Sequence, residues 1–185
     1  MNRILTLLLT VILALGLLIT SCSSGGGGGS TPTGTGVKES PEVGKQAPDF
    51  TLQNTEGKTI TLSGLRGKPV LMNFWATWCG PCFEEQPFLQ EIYDTWTDKG
   101  LVFLSIDSGE DLARVQAYLA ANKLTFPAVL DTKGQLAMKY AVQYLPTTVL
   151  VGKDGIILNI QVGSFMSRAE IERDFLSLAF PELSK

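Results

Sequence analysis

The chain contains no histidine. That absence removes a Ser-His or Cys-His couple, a histidine-ligated zinc site and a c-type haem attachment sequence. Catalytic chemistry must therefore run on cysteine, carboxylate, lysine or tyrosine. Cysteine is scarce as well, with three in 185 residues, at positions 22, 79 and 82. Net charge is small, 15 Lys and Arg against 18 Asp and Glu, for a formal -3. So balanced a chain offers no basic stripe, and nucleic acid is not expected as a partner. Apolar residues make up 44%, ordinary for a soluble globular body. No internal repeat is present.

What is there begins with a leader. Arg3 precedes an apolar run from Ile4 to Ile19, interrupted only by Thr6, Thr10 and Gly16 and ending in Ile19-Thr20-Ser21-Cys22. This reads as an export signal over residues 1–21. Its ending resembles a bacterial lipobox, which implies diacylglycerol on Cys22, cleavage before it and a lipid-anchored N-terminus. An uncleaved membrane helix is the alternative, but the run is slightly short for a hydrocarbon core needing ~20 apolar residues. Both readings place the domain outside the cytoplasm, beside a membrane. Residues 22–40 continue as SSGGGGGSTPTGTGVKES after the cysteine, with almost nothing apolar to bury. That composition predicts a flexible tether reaching roughly 25 Å.

From residue 41 to 185 the pattern is that of one domain. Ala47–Leu52 and Lys58–Leu62 flank the turn Thr55-Glu56-Gly57 and predict two short strands. Pro69–Trp75 is almost continuously apolar, as expected of a strand buried on both faces. A helix should follow directly, with Pro81 in its first turn and Phe83, Phe88, Leu89, Ile92, Tyr93 and Trp96 as its apolar stripe, kinked at Pro87. Leu101–Asp107 predicts the next strand, and Asp111–Ala121 a helix with Leu112, Val115 and Leu119 inward. Phe126–Leu130 predicts a further strand and Gln135–Val142 a short helix. Thr147–Val151 and Ile156–Val162 read as a hairpin turning at Asp154-Gly155, and Ser167–Leu178 as a closing helix. The fold class is α/β, helices flanking a mixed central sheet.

Cys79 and Cys82 sit at the handover from the buried strand to the helix, the context that makes a C-x-x-C informative. With Cys79 at the N-cap, unpaired backbone N–H groups and the helix dipole stabilise its thiolate and make it the nucleophile. Cys82, one turn on and deeper, is within reach of an S–S bond and can resolve a mixed disulfide. A permanent staple closing so small a loop would stabilise little. Two thiolates could alternatively hold Cu(I), whereas zinc would want further ligands. Glu85 shares the Cys82 helix face and is the candidate proton carrier; burial would raise its pKa toward neutrality. Glu84 reads as a solvated charge. Trp75 reads as core and Trp78 as a partly exposed lip of the site. Pro146 opens a strand, where proline is tolerated and a cis bond is an option.

The segments APDFTL, NFWATWCGPC, CFEEQP and YLPTTVLVGKDG make the chain resemble the membrane-anchored thioredoxin-like proteins of the redoxin group, the TlpA- or ResA-like branch. The resemblance implies a thioredoxin fold with an N-terminal strand extension and a central insertion between Asp107 and Pro146. It also implies that Cys79 is the exposed nucleophile, Cys82 the resolving thiol and Pro146 a cis-proline facing the disulfide. Substrate would then contact Trp78, Leu145 and Pro146. Asn73 stands where thioredoxin usually carries a buried aspartate, and Glu85 matches the carboxylate that the ResA-like branch carries instead. The Ala47-Pro48-Asp49-Phe50 opening also suits a peroxiredoxin, but P-x-x-x-[TS]-x-x-C is not met, because Met72 and Ala76 occupy those positions before Cys79. The resemblance further implies protein thiol partners such as apocytochrome c, and a membrane thiol relay as electron donor. No cofactor and no metal are expected. By analogy with the dipeptide of thioredoxin, Gly80-Pro81 favours a reductant; a disulfide oxidase or isomerase and a Cu(I)-binding thiol lipoprotein are the competing readings.

Overall fold

The computed structural model describes residues 41–181. The expected signal segment, the anchor Cys22 and the tether lie outside the described residues.

The centre of the fold is the run the sequence marks as buried on both faces. β3 (Val70–Trp75) is buried at every position and is the middle strand of a five-stranded sheet. It pairs in parallel with β4 (Val102–Ser108) and antiparallel with β6 (Thr147–Val151). β5 (Ala128–Asp131) extends the sheet in parallel beyond β4, and β7 (Ile157–Val162) antiparallel beyond β6. The order is β5-β4-β3-β6-β7, a mixed sheet as the alternating helices and strands require. β1 (Thr51–Gln53) and β2 (Thr59–Thr61) form a separate small hairpin, tied to β5 by a bridge between Asn54 and Val129. The two short strands expected of the N-terminal extension thus pair with each other as a second, two-stranded sheet.

Side chains alternate across β3 and divide the core. Leu71 and Trp75 point into a cluster with Leu89, Ile92, Val115, Phe165, Ile171 and Phe175. Val70, Met72 and Phe74 point the other way, among Leu62, Leu136, Tyr140 and Val149. The first face is covered by α1 (Gly80–Trp96), α2 (Leu112–Ala121) and α4 (Arg168–Ile171). The second is covered by the 3-10 turn Leu62–Leu65 and by α3 (Gln135–Lys139).

Three expectations are corrected. Leu112 is not inward but 43% exposed. It is the first residue of α2, and that turn is occupied by polar contacts: Asp111 caps the Arg114 amide, and Arg114 reaches back to Glu110 and Thr77. Phe83 is not in the α1 stripe but 57% exposed. The buried stripe is Cys82, Glu85, Gln86, Leu89, Ile92 and Trp96, whose two polar members carry no hydrophobic signal. The closing helix is not a uniform α-helix, because α4 passes into a π turn over Glu172–Leu176 and a short last turn over Ser177–Ala179. α1 itself runs through Pro87 as one element, with the proline ring on the exposed side.

Candidate active site

The carboxyl end of β3 delivers the chain into a tight turn in which the Cys79 amide donates to the Ala76 carbonyl at 3.1 Å. Cys79 is the N-cap of α1, with extended backbone angles of φ -84° and ψ 106°. Its sulfur accepts the Cys82 backbone N–H at 3.2 Å, so one of the unpaired donors of the helix start is aimed at Sγ. A thiolate at that atom gains both this hydrogen bond and the positive end of a 17-residue helix. The two cysteines are joined in a disulfide, with Cα atoms 5.3 Å apart.

Cys82 is fully buried, as expected. Cys79 is only 6% exposed, less open than an exposed nucleophile should be, since the closed disulfide folds its sulfur over the helix start. Trp78, by contrast, is 68% exposed and forms the lip of the site. Trp75 is core, stacked at a tilt on Tyr118 with ring centres 5.2 Å apart.

Glu85 follows Cys82 by one turn and is completely buried. Asn73 on β3 donates its amide to Oε1 at 2.7 Å and to the Thr148 hydroxyl on β6 at 3.0 Å. The Phe165 backbone N–H, from the segment after β7, donates to Oε2 at 3.0 Å. Burial pushes the Glu85 carboxyl up to about 7, and the charge of Glu170 adds to it; the Phe165 and Asn73 hydrogen bonds moderate the rise. A carboxyl poised there can take or give a proton near neutrality.

Pro146 is buried, and the Leu145–Pro146 peptide bond is cis. The Pro146 carbonyl accepts the Gly163 N–H at 2.8 Å, which ties the start of β6 to the end of β7. Leu145 is half-buried against both core clusters.

Sequence reasoning missed a second group of polar residues beside the cysteines. Glu110 accepts the Thr77 amide and the Thr77 hydroxyl, each at 2.6 Å, and Thr77 precedes Cys79 by two residues. Asp107, paired in register with Trp75, is fully buried below Glu110. The usable signal was positional: Trp75 and Asp107 end adjacent parallel strands, and functional groups gather at such carboxyl ends.

Residues 43–160 match the AhpC/TSA family model. The chain belongs to the AhpC/TSA family. Within it, the chain is 38% identical over 144 residues to the thiol-disulfide oxidoreductase ResA of Bacillus subtilis, covering 78% of this chain and 79% of that protein. Among solved structures it is similar to a protein assigned as the thiol:disulfide interchange protein DsbE of Chlorobium tepidum. That match has a TM-score of 0.69 and 29% identity, over 76% of this chain and 99% of the other. StoA of Bacillus subtilis is similar at a TM-score of 0.61 and 29% identity, over 68% of this chain and 95% of that one. This AhpC/TSA-family protein is a thioredoxin-like thiol-disulfide oxidoreductase, with Cys79 and Cys82 as its close C-x-x-C pair.

Proposed function

We infer that the protein is an extracytoplasmic, membrane-tethered reductant of protein disulfides, in which Cys79 exchanges with the partner, Cys82 resolves and Glu85 carries the proton for Cys82. The observation behind this reading is Glu85: a completely buried carboxyl held by two hydrogen-bond donors one helical turn from the buried cysteine, where burial pushes it up to about 7. A surface charge in the first turns of a helix would need neither the burial nor the two donors that hold it.

The Cys79 thiolate attacks a partner disulfide, one partner sulfur leaves as thiolate, and a mixed disulfide joins the two proteins. Cys82 then passes its proton to Glu85 and attacks Cys79 Sγ. The partner departs with both sulfurs reduced, and the Cys79–Cys82 disulfide remains. Two electrons have moved to the partner, and a membrane thiol relay restores the dithiol. The exposed Trp78, the half-buried Leu145 and the backbone beside Pro146 receive the partner segment. Cys22 carries the lipid, and residues 22–40 give the domain its reach from the membrane. Apocytochrome c, whose cysteines must be reduced before haem attachment, is the proposed substrate.

The test is the reduction potential of the Cys79–Cys82 pair in the soluble domain, equilibrated against thiol buffers and read by alkylation. A value near about -250 mV or lower supports a reductant, and one above roughly -180 mV turns the assignment to an oxidase or isomerase. In the same protein Cys79→Ser should abolish exchange, and Cys82→Ser should accumulate the mixed disulfide, which also identifies the partner. A fully active Cys79→Ser protein would sink the mechanism.

A further inference from the structure

We propose that Glu110 is a positioning residue for disulfide exchange: braced by Asp107 and Arg114, it clamps Thr77 and so fixes the turn that presents Cys79, and the clamp opens when Asp107 ionises. The proposal rests on Cys79 being the sulfur that is attacked and attacks.

Glu110 spends both carboxylate oxygens on one residue of that turn. Oε2 accepts the Thr77 amide and Oε1 the Thr77 hydroxyl, both at 2.6 Å. Arg114 Nε closes the outer side, 2.9 Å from Oε1 and 3.2 Å from the Thr77 hydroxyl. Two short bonds to a charged acceptor, on a side chain only 6% exposed, restrain the backbone more firmly than a neutral turn would. The restrained residue lies between Ala76 and Cys79, which close the turn by their own hydrogen bond. Exchange needs three sulfurs in line, so a shift of the turn costs rate.

The inner side of the clamp is Asp107. Its Oδ1 accepts the Glu110 amide at 3.1 Å, while Oδ2 is buried with no hydrogen-bond donor among the described residues. A carboxylate oxygen in that position, against a second carboxylate, is stable only with a proton on it. Burial first, then the hydrogen bond and charge of Glu110, push Asp107 up to about 8. Burial alone would raise Glu110 too, but the Thr77 hydroxyl and amide, Asp107 and Arg114 outweigh it and hold its carboxyl below the ordinary glutamate value. The other titratable or charged groups facing this pair are Asp131 on β5 and Tyr118 and Arg114 on α2. Arg114 alone is cationic, and it sits on the Glu110 side. Loss of the Asp107 proton therefore sets two anions against each other with nothing between them, and Thr77 is released.

The experiment is stopped-flow reduction of the oxidised domain by dithiothreitol from pH 6 to 9.5, followed by tryptophan fluorescence, for wild type, Glu110→Gln, Thr77→Val, Thr77→Ser and Asp107→Asn. Thr77→Val and Glu110→Gln should react about tenfold more slowly than wild type at pH 7, and Thr77→Ser should restore the rate. Relative to the rising thiolate fraction of the reagent, the wild-type rate should fall off above about pH 8, and Asp107→Asn should lack that fall. Thr77→Val leaves the acidic pair intact and carries the test if Glu110→Gln does not fold. Wild-type rates in Thr77→Val at every pH, or the same alkaline fall in Asp107→Asn, would overturn the clamp. Absence of any exchange in wild type would instead defeat the underlying role of Cys79.

Discussion

At Glu85, three elements meet on one carboxyl: α1 supplies the side chain, β3 the Asn73 amide and the segment after β7 the Phe165 N–H. Below pH 7 the carboxyl holds its proton; above it, the carboxylate can accept one from Cys82. The resolving step should therefore accelerate as pH rises through about 7. Glu85→Gln keeps the shape but cannot take the proton. We expect resolution to slow by about 100-fold and the inflection near pH 7 to vanish, measured by rapid quench of a preformed mixed disulfide. An unchanged pH profile would reduce Glu85 to a structural residue. The position of Glu85 was legible in the sequence from its spacing to Cys82. Its partners were not, because Asn73 and the backbone amide of Phe165 are brought to it across 12 and 80 residues of chain.

At the scale of elements, the β6–β7 hairpin carries Pro146 at its start and returns beside it at Gly163. Its turn was readable from Asp154-Gly155: Gly155 has φ +82° and its amide donates to Gly152 O at 2.8 Å. An added Cβ at Gly155 would meet the Arg66 guanidinium, which can move, whereas the backbone angle cannot. Gly155→Ala should therefore destabilise by about 1–2 kcal/mol, and Gly155→Asn by less, in urea titrations. Equal stability of the alanine variant and wild type would contradict the strained turn. α1 shows the limit of periodicity: its capping cysteine and Leu89, Ile92 and Trp96 followed the pattern, but its first two turns bury Glu85 and Gln86 and leave Phe83 in solvent. The Gln86 carbonyl accepts the Tyr118 hydroxyl from α2 at 2.8 Å, a compensation visible only once the two helices are packed together.

For the whole molecule, the buried carboxyls set the pH dependence of stability. Glu85, raised to about 7, and Asp107, raised to about 8, hold protons in the folded state that the unfolded chain releases near 4.5 and 3.8. The stability they contribute is complete below those unfolded values and is lost as pH rises through 7 and 8. Glu85 alone accounts for roughly 3 kcal/mol across its window. On the acid side Asp49, Glu110 and Glu172 are held below their ordinary values, so their contribution is lost as pH falls. The oxidised protein should be most stable near about pH 5 and weaken steadily to about pH 8, with Glu85→Gln flattening the slope between 5 and 7. Urea unfolding across that range checks this, and a stability that climbs from pH 5 to 8 would refute it.

The sequence by itself determined the strand-to-helix handover at Cys79, the order of the elements and the two-faced burial of β3. Each of these depends on neighbours in the chain: apolar runs, turn residues and the spacing of three positions between cysteines. Tertiary structure alone decided the near-burial of Cys79, the cis Leu145–Pro146 bond, the hydrogen bonds that hold Glu85 and the grip of Glu110 on Thr77. Glu110 looks in the sequence like one more solvated acid before a helix. Only the parallel register of β3 and β4, which brings Asp107 beside Trp75, places that acid against the turn before Cys79. Burial and hydrogen bonding then set the chemistry of such groups, and neither is written in local sequence.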